Sequence, residues 1–97
     1  MAKRIKWSPR AADSFEEICN YIARDSGYYA SVFAKRIVSL VKAIPDFPKS
    51  GRIVPEYQNE NIREKIYQNY RIVYRIKKEV IEIAVISHGS KLLNDIE

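Results

Sequence analysis

His88 is the only histidine of the chain, and it closes a stretch, Ile62 to His88, in which Arg71, Arg75 and Glu82 are set among isoleucines, valines and tyrosines. An imidazole exchanges protons near neutral pH, and a guanidinium holds anions through directed hydrogen bonds, so such a row suits the handling of a phosphate. Glu56 lies upstream and can serve as a base if its loop folds over the row. Arg63 precedes the row and Lys91 follows it; with Arg75 they extend the cationic set toward a target or partner. The lone Cys19 forms no internal disulfide and no metal-ligand set, so no metal or other cofactor is expected. Only three glycines, Gly27, Gly51 and Gly89, are present, too few for a phosphate-cradling loop.

The elements that must position these residues read as a meander. Ile62–Tyr67, Tyr70–Lys77 and Val80–His88 are rich in β-formers, and Gln68-Asn69 and Lys78-Glu79 are two-residue breaks. If both breaks are tight hairpin loops, Tyr67 faces Tyr70 and Lys77 faces Val80, and a period of two then sorts the side chains. One face carries Ile72, Tyr74, Ile76, Ile81, Ile83 and Val85 and suits packing against helices. The other carries Arg71, Val73, Arg75, Glu82, Ala84, Ile86 and His88, and its charges are costly to bury, so it is expected to stay open. With this pairing Arg71 lies opposite Ile86 and His88 is one step along the same face, so both reach one phosphate. A one-residue bulge swaps the faces beyond it.

Lys3 to Trp7 alternates and reads as a first strand, with Trp7 packing under the helices. Ser8 is an N-cap and Pro9 suits a first helical turn; Ala12, Phe15, Ile18, Cys19 and Ile22 then form an apolar stripe that ends near Arg24. From Tyr28 to Ile44 a second stripe contains Ala30, Phe33, Ile37, Leu40, Val41 and Ile44. Pro45 and Pro48 stop it, and Ile53 to Glu56 reads as a short extended piece. The fold class is α+β: a two-helix hairpin packed on one face of a mainly antiparallel β-sheet, in the order β-α-α-β-β-β. Residues 1–97 read as one domain, and the place of the first strand in the sheet stays open.

The chain is 46% apolar and 30% charged, ordinary for a globular domain, with a net charge of +5 from 17 Lys and Arg against 12 acids. That excess suits a polyanionic or acidic partner: nucleic acid, a ribosome or an acidic protein. No apolar run is long enough for a signal peptide or membrane span, so a cytoplasmic location and no membrane partner are expected.

Trp7 to Ala11 (WSPRA), Phe47 to Glu56 (FPKSGRIVPE), Asn61 to Glu64 (NIRE), Tyr70 to Ile76 (YRIVYRI) and Ile83 to Gly89 (IAVISHG) occur in an order that resembles the RelE/ParE superfamily of toxins from type II toxin–antitoxin modules, including plasmid-stabilisation systems. The resemblance covers nearly the whole chain. It implies the same β-α-α-β-β-β plan, a cognate antitoxin bound in a hetero-oligomer, and one of two activities. ParE-like members poison DNA gyrase and are not known as nucleases. RelE-like members are metal-independent ribonucleases that cut mRNA on the ribosome, and there Arg71 falls at the position of a transition-state arginine, with His88 and Glu56 as proton-transfer candidates. Whether the chain is an enzyme therefore depends on the branch.

Those nucleases usually carry a tyrosine or further basic residues after the last strand, where this chain has Gly89-Ser90-Lys91. The ParE-like, gyrase-directed reading therefore comes first, with the ribosome-dependent nuclease as its alternative. Plainer roles stand beside these: Arg75 paired across strands with Glu82 as scaffold, Arg63 and Glu64 as strand-edge caps, His88 as a strand-end residue, and Cys19 as a small core residue.

Overall fold

The computed structural model describes residues 3–89, 91 and 93. Its elements follow the expected order: β1 (Arg4–Trp7), α1 (Pro9–Ala23), α2 (Gly27–Ala43), β2 (Arg52–Ile53), β3 (Ile62–Tyr67), β4 (Tyr70–Ile76) and β5 (Val80–His88), with short 3-10 turns at Ile44–Asp46 and Pro48–Ser50. The helix starts follow from their caps. The Ser8 hydroxyl accepts from the Ala11 N–H at 3.0 Å and Ser26 accepts from the Tyr29 N–H at 3.1 Å, each filling one of the donors a first turn leaves open. Both hairpin loops have two residues, since Tyr67 pairs with Tyr70 and the Lys77 N–H donates to the Val80 carbonyl at 3.0 Å. Gln68 takes a φ of 53°, the left-handed conformation such a turn demands.

The sheet order is β1-β5-β4-β3-β2. β1 joins at the outer side of β5 and runs parallel to it, Arg4 beside Val80 through Trp7 beside Ile83; every other pairing is antiparallel. The two helices cover one face. Ala11, Phe33, Ile37, Val41, Ile44, Ile72, Tyr74, Ile81, Ile83 and Ile86 are buried between helices and sheet. An aromatic file crosses this layer, Trp7 to Phe15 at 5.3 Å, Phe15 to Phe33 at 6.3 Å, Phe33 to Tyr70 at 5.0 Å and Tyr70 to His88 at 5.6 Å between ring centres. Cys19 is half-buried in the α1 stripe, and burial pushes its thiol pKa up, as suits a core residue.

Two expectations about the faces need correction. Val73 pairs with Val85 but Tyr74 pairs with Ile83, so Ala84 is an extra residue in β5. This bulge, inside the strand rather than at a turn, reverses the facing of the residues beyond it: Val85 joins the far face and Ile86 turns to the helices. Helix α1 holds the bulge. Ser8 Oγ donates to the Ala84 carbonyl at 2.9 Å, and Ser14 Oγ accepts from the Ile86 N–H at 3.1 Å while donating to the Ala11 carbonyl at 3.0 Å. The backbone groups that β1, ending at Trp7, cannot pair are thus satisfied by two serines.

The far face is not open either. Val54, Ile62, Val73, Ala84, Val85 and Leu93 are buried together there, with Tyr57 packed against them. The loop after β2 and the chain at Leu93 cover the middle of that face; the apolar Leu92 and Ile96 of the tail lie outside the described residues.

Candidate functional site

Strand register decides which of the singled-out residues meet. Glu64 of β3 pairs with Val73 and Arg71 of β4 pairs with Ile66, so Glu64 and Arg71 are diagonal neighbours on the far face. Arg71 Nε donates to Glu64 Oε1 at 2.5 Å, and Arg52 Nε, from the neighbouring edge strand β2, donates to Glu64 Oε2 at 2.5 Å. Glu56, carried over the sheet by the loop after β2, takes the other end of the guanidinium. Arg71 Nη1 and Nη2 each donate to one of its carboxylate oxygens at 2.8 Å. The Leu93 N–H adds a bond to Glu56 Oε2 at 3.2 Å.

Burial makes the geometry of this network decisive. The Glu64 side chain is fully enclosed and that of Arg71 is 6% exposed. Taking these charges out of water is tolerable only because each is paired with good geometry, and a bidentate arginine–carboxylate pair provides it. The Arg71 hydrogen bonds draw the Glu56 pKa down to about 2, against the opposing effect of burial and with help from the Leu93 N–H. Arg71 is raised above its already high value, first by its bonds to Glu56 and then by Glu64.

A second device fixes the loop that carries Arg52. Tyr74 crosses from the core, donates its hydroxyl to the Pro48 carbonyl at 2.6 Å and accepts from the Gly51 N–H at 3.1 Å. A Cβ on Gly51 would stand 2.5 Å from that hydroxyl and 2.6 Å from the Glu64 carbonyl oxygen, so only glycine permits this approach. Burial raises the Tyr74 pKa, against the lowering effects of the Gly51 N–H and the Arg63 charge.

The remaining candidates are dispersed. Arg63 is spent on backbone carbonyls, Glu60 at 2.8 Å, Lys49 at 3.1 Å and Gly51 at 3.0 Å, which makes it a brace for the same loops. Arg75 donates to Glu82 from Nε at 2.9 Å and from Nη2 at 2.5 Å, the cross-strand scaffold pair, with Lys77 at 3.4 Å from the same oxygen. Although burial opposes it, the Glu82 pKa falls through these bonds and charges.

His88 pairs with Tyr70, and Ser87, not Ile86, lies opposite Arg71. Because of the bulge His88 is on the helix side of the strand end, not on the Arg71 face as expected. The two residues still line one shallow cavity of about 260 Å³ at the end of the sheet, with Arg52, Gln68, Asn69 and Gly89. Lys91 is exposed, its N–H donating to the His88 carbonyl at 3.0 Å.

Sequence reasoning missed the role of Arg52 and undervalued Glu64. The Glu64–Arg71 diagonal was available from the hairpin register; the reach of Glu56 was not, because a loop places it. Among the described residues no group of three or more His, Cys, Asp and Glu side chains comes together to hold a metal ion, and no helix is long and apolar enough to cross a membrane.

The arrangement of helices and sheet recurs in solved structures from toxin–antitoxin systems. A chain of the chromosomal ParDE toxin–antitoxin system from P. aeruginosa superposes with a TM-score of 0.75 at 21% identity, over 90% of this chain and 96% of that one. The RelBE2 toxin–antitoxin complex of Mycobacterium tuberculosis gives 0.65 at 13% identity over 91% and 99%, and a double-mutant E. coli RelE in the free state gives 0.64 at 15% over 92% and 85%. These likenesses define the class as RelE/ParE-fold proteins. In sequence, the candidate toxin Y4kP of Sinorhizobium fredii is 35% identical over 89 residues, 90% of this chain and 88% of that protein. Residues 5–93 match the family described as the ParE toxin of the type II toxin–antitoxin system parDE, and the chain belongs to that family.

Proposed function

We infer that this ParE-family toxin acts by poisoning DNA gyrase and is neutralised by a cognate antitoxin in a hetero-oligomer. The observation that carries the choice of target is the engagement of Arg71. Metal-independent RNA cleavage needs a base for the 2′-hydroxyl proton, an acid for the leaving oxygen and a cation available to the phosphorane. Here the guanidinium donates to Glu64 through Nε and to Glu56 through both terminal nitrogens. A carboxylate held at about 2 is a feeble base at neutral pH. His88, the remaining proton carrier, projects from the other side of the strand end. Such a set serves to clamp a loop to a sheet, and it favours a toxin that works by protein contact.

The antitoxin rests on family membership, on solved relatives that include a ParDE system and a RelBE2 toxin–antitoxin complex, and on a net charge of +5 that suits an acidic partner. The alternative, a ribosome-dependent ribonuclease, keeps one observation in its favour, the cavity that Arg71 and His88 share.

Purified toxin added to gyrase and supercoiled DNA is expected to accumulate double-strand breaks, while programmed ribosomes keep their mRNA intact. Unchanged DNA at micromolar toxin, together with codon-position cleavage lost on Arg71→Ala and His88→Ala, would establish the nuclease instead. Co-purification with the product of the adjacent short reading frame tests the antitoxin.

A further inference from the structure

Beside the clamp, and opening toward α1, lies a second cavity of about 280 Å³, with polar and apolar walls. Arg10 and Ser14 of α1, Ser87 and His88 at the end of β5, and Lys91 of the following chain line it, over an apolar floor that includes Ile18 and Val85. Among the described residues no acidic side chain lines it. Many cations of the sheet and its loops are already engaged: Lys49, Arg52, Arg71, Arg75 and Lys77 are in ion pairs, and Lys3 and Arg63 donate to carbonyls. Among the described residues the side chains of Arg10 and Lys91 have no carboxylate within ion-pair distance. They line this concavity from different elements, together with His88.

We propose that this cavity binds a phosphodiester group of a nucleic-acid strand, with Arg10 and Lys91 as its charge partners and His88 at its rim. A phosphodiester offers two non-bridging oxygens, sharing one negative charge, to a guanidinium fork and an ammonium approaching from different directions. A strand fits better than a single anion because His88 also lines the neighbouring cavity with Arg52, Gln68, Asn69 and Gly89, so two concavities that share His88 adjoin along the end of the sheet. Arg52 remains 60% exposed there although it pairs with Glu64, and can face a further phosphate. This inference does not rest on gyrase as the target, since it concerns the toxin's own surface and is read with toxin alone.

The test is fluorescence-anisotropy titration of the purified toxin with labelled single-stranded DNA, duplex DNA and RNA of equal length over a range of salt. Arg10→Ala and Lys91→Ala are compared with Lys78→Ala, an exposed lysine in the hairpin loop at the opposite end of β5. Each cavity variant is expected to weaken binding by about three- to tenfold and to reduce the slope of log K against log salt by about 1, while Lys78→Ala stays within about twofold. The three probes then tell which nucleic acid the cavity prefers. Equal losses for all three variants would reduce the effect to overall charge and overturn the proposal. So would a poly-glutamate peptide of equal charge that binds as tightly with the same dependence on Arg10. Circular-dichroism melting of each variant shows that the fold is intact, and because Arg10 and Lys91 are exposed, no change is expected there.

Discussion

The two faces of the sheet are held by different forces. On the helix side, Ile72, Tyr74, Ile81, Ile83 and Ile86 meet Phe33, Ile37, Val41 and Ile44, and stability there comes from apolar area removed from water. On the far side a smaller apolar set, Val54, Ile62, Val73, Ala84, Val85 and Leu93, is bordered by the Glu56–Arg71–Glu64–Arg52 ionic chain. Apolar contact is non-directional and tolerates exchange of similar shapes. A buried ion pair contributes little net energy, but its removal on one side is costly, so it specifies which loop lies where. The helix face therefore builds the domain, and the far face fixes the segments around its candidate site.

Substitutions that separate these roles sharpen the contrast. The largest effect is expected from Glu64→Ala, which leaves Arg71 and Arg52 without their shared partner and costs about 3–5 kcal/mol in urea denaturation. Glu64→Leu combined with Arg71→Met should cost clearly less than the two single changes added together. A strictly additive result would show that the pair has no coupling. On the helix face, Ile83→Ala is expected to cost about 2–4 kcal/mol, with no rescue from any single neighbour, because it opens a cavity. Smaller again is Ser14→Ala, about 1–2 kcal/mol, which removes the acceptor from the Ile86 N–H and should speed exchange of that amide before any other in β5.

Acid distinguishes the faces as well. The folded pKa of Glu56 lies below that of an unfolded glutamate, so its contribution is present above the unfolded value near 4.5 and is lost as pH falls toward 2. Amide protection at Leu93 should drop through that window while protection in α2 persists. In Glu56→Gln the Leu93 transition should be absent and protection there low at every pH. Simultaneous loss at both places would mean that the faces unfold as one.

Much of the fold was legible because its determinants are local. Ser8-Pro9 marks the first helix start, and the Gln68-Asn69 and Lys78-Glu79 loops set a register that correctly predicted the Arg75–Glu82 pair. The site was less legible. His88 and Arg71 were expected on one face, but the parity count passed through Ala84, where nothing in the local pattern of Ile, Ala and Val announces an extra residue. The cause lies far off in sequence, in the α1 cap Ser8 and in Ser14, which bind the strand's backbone at Ala84 and Ile86.

The sequence by itself determined the kinds of elements, their order and the pairing of the meander from its turns as far as Ile83, because side-chain period, caps and two-residue turns act over a few neighbouring residues. The tertiary structure alone decided that β1 lies parallel beside β5, that β5 bulges at Ala84, and that Glu56 comes over the sheet to claim Arg71. Each of these joins segments distant along the chain, and such contacts are chosen by burial and charge pairing only once the helices and strands have already met.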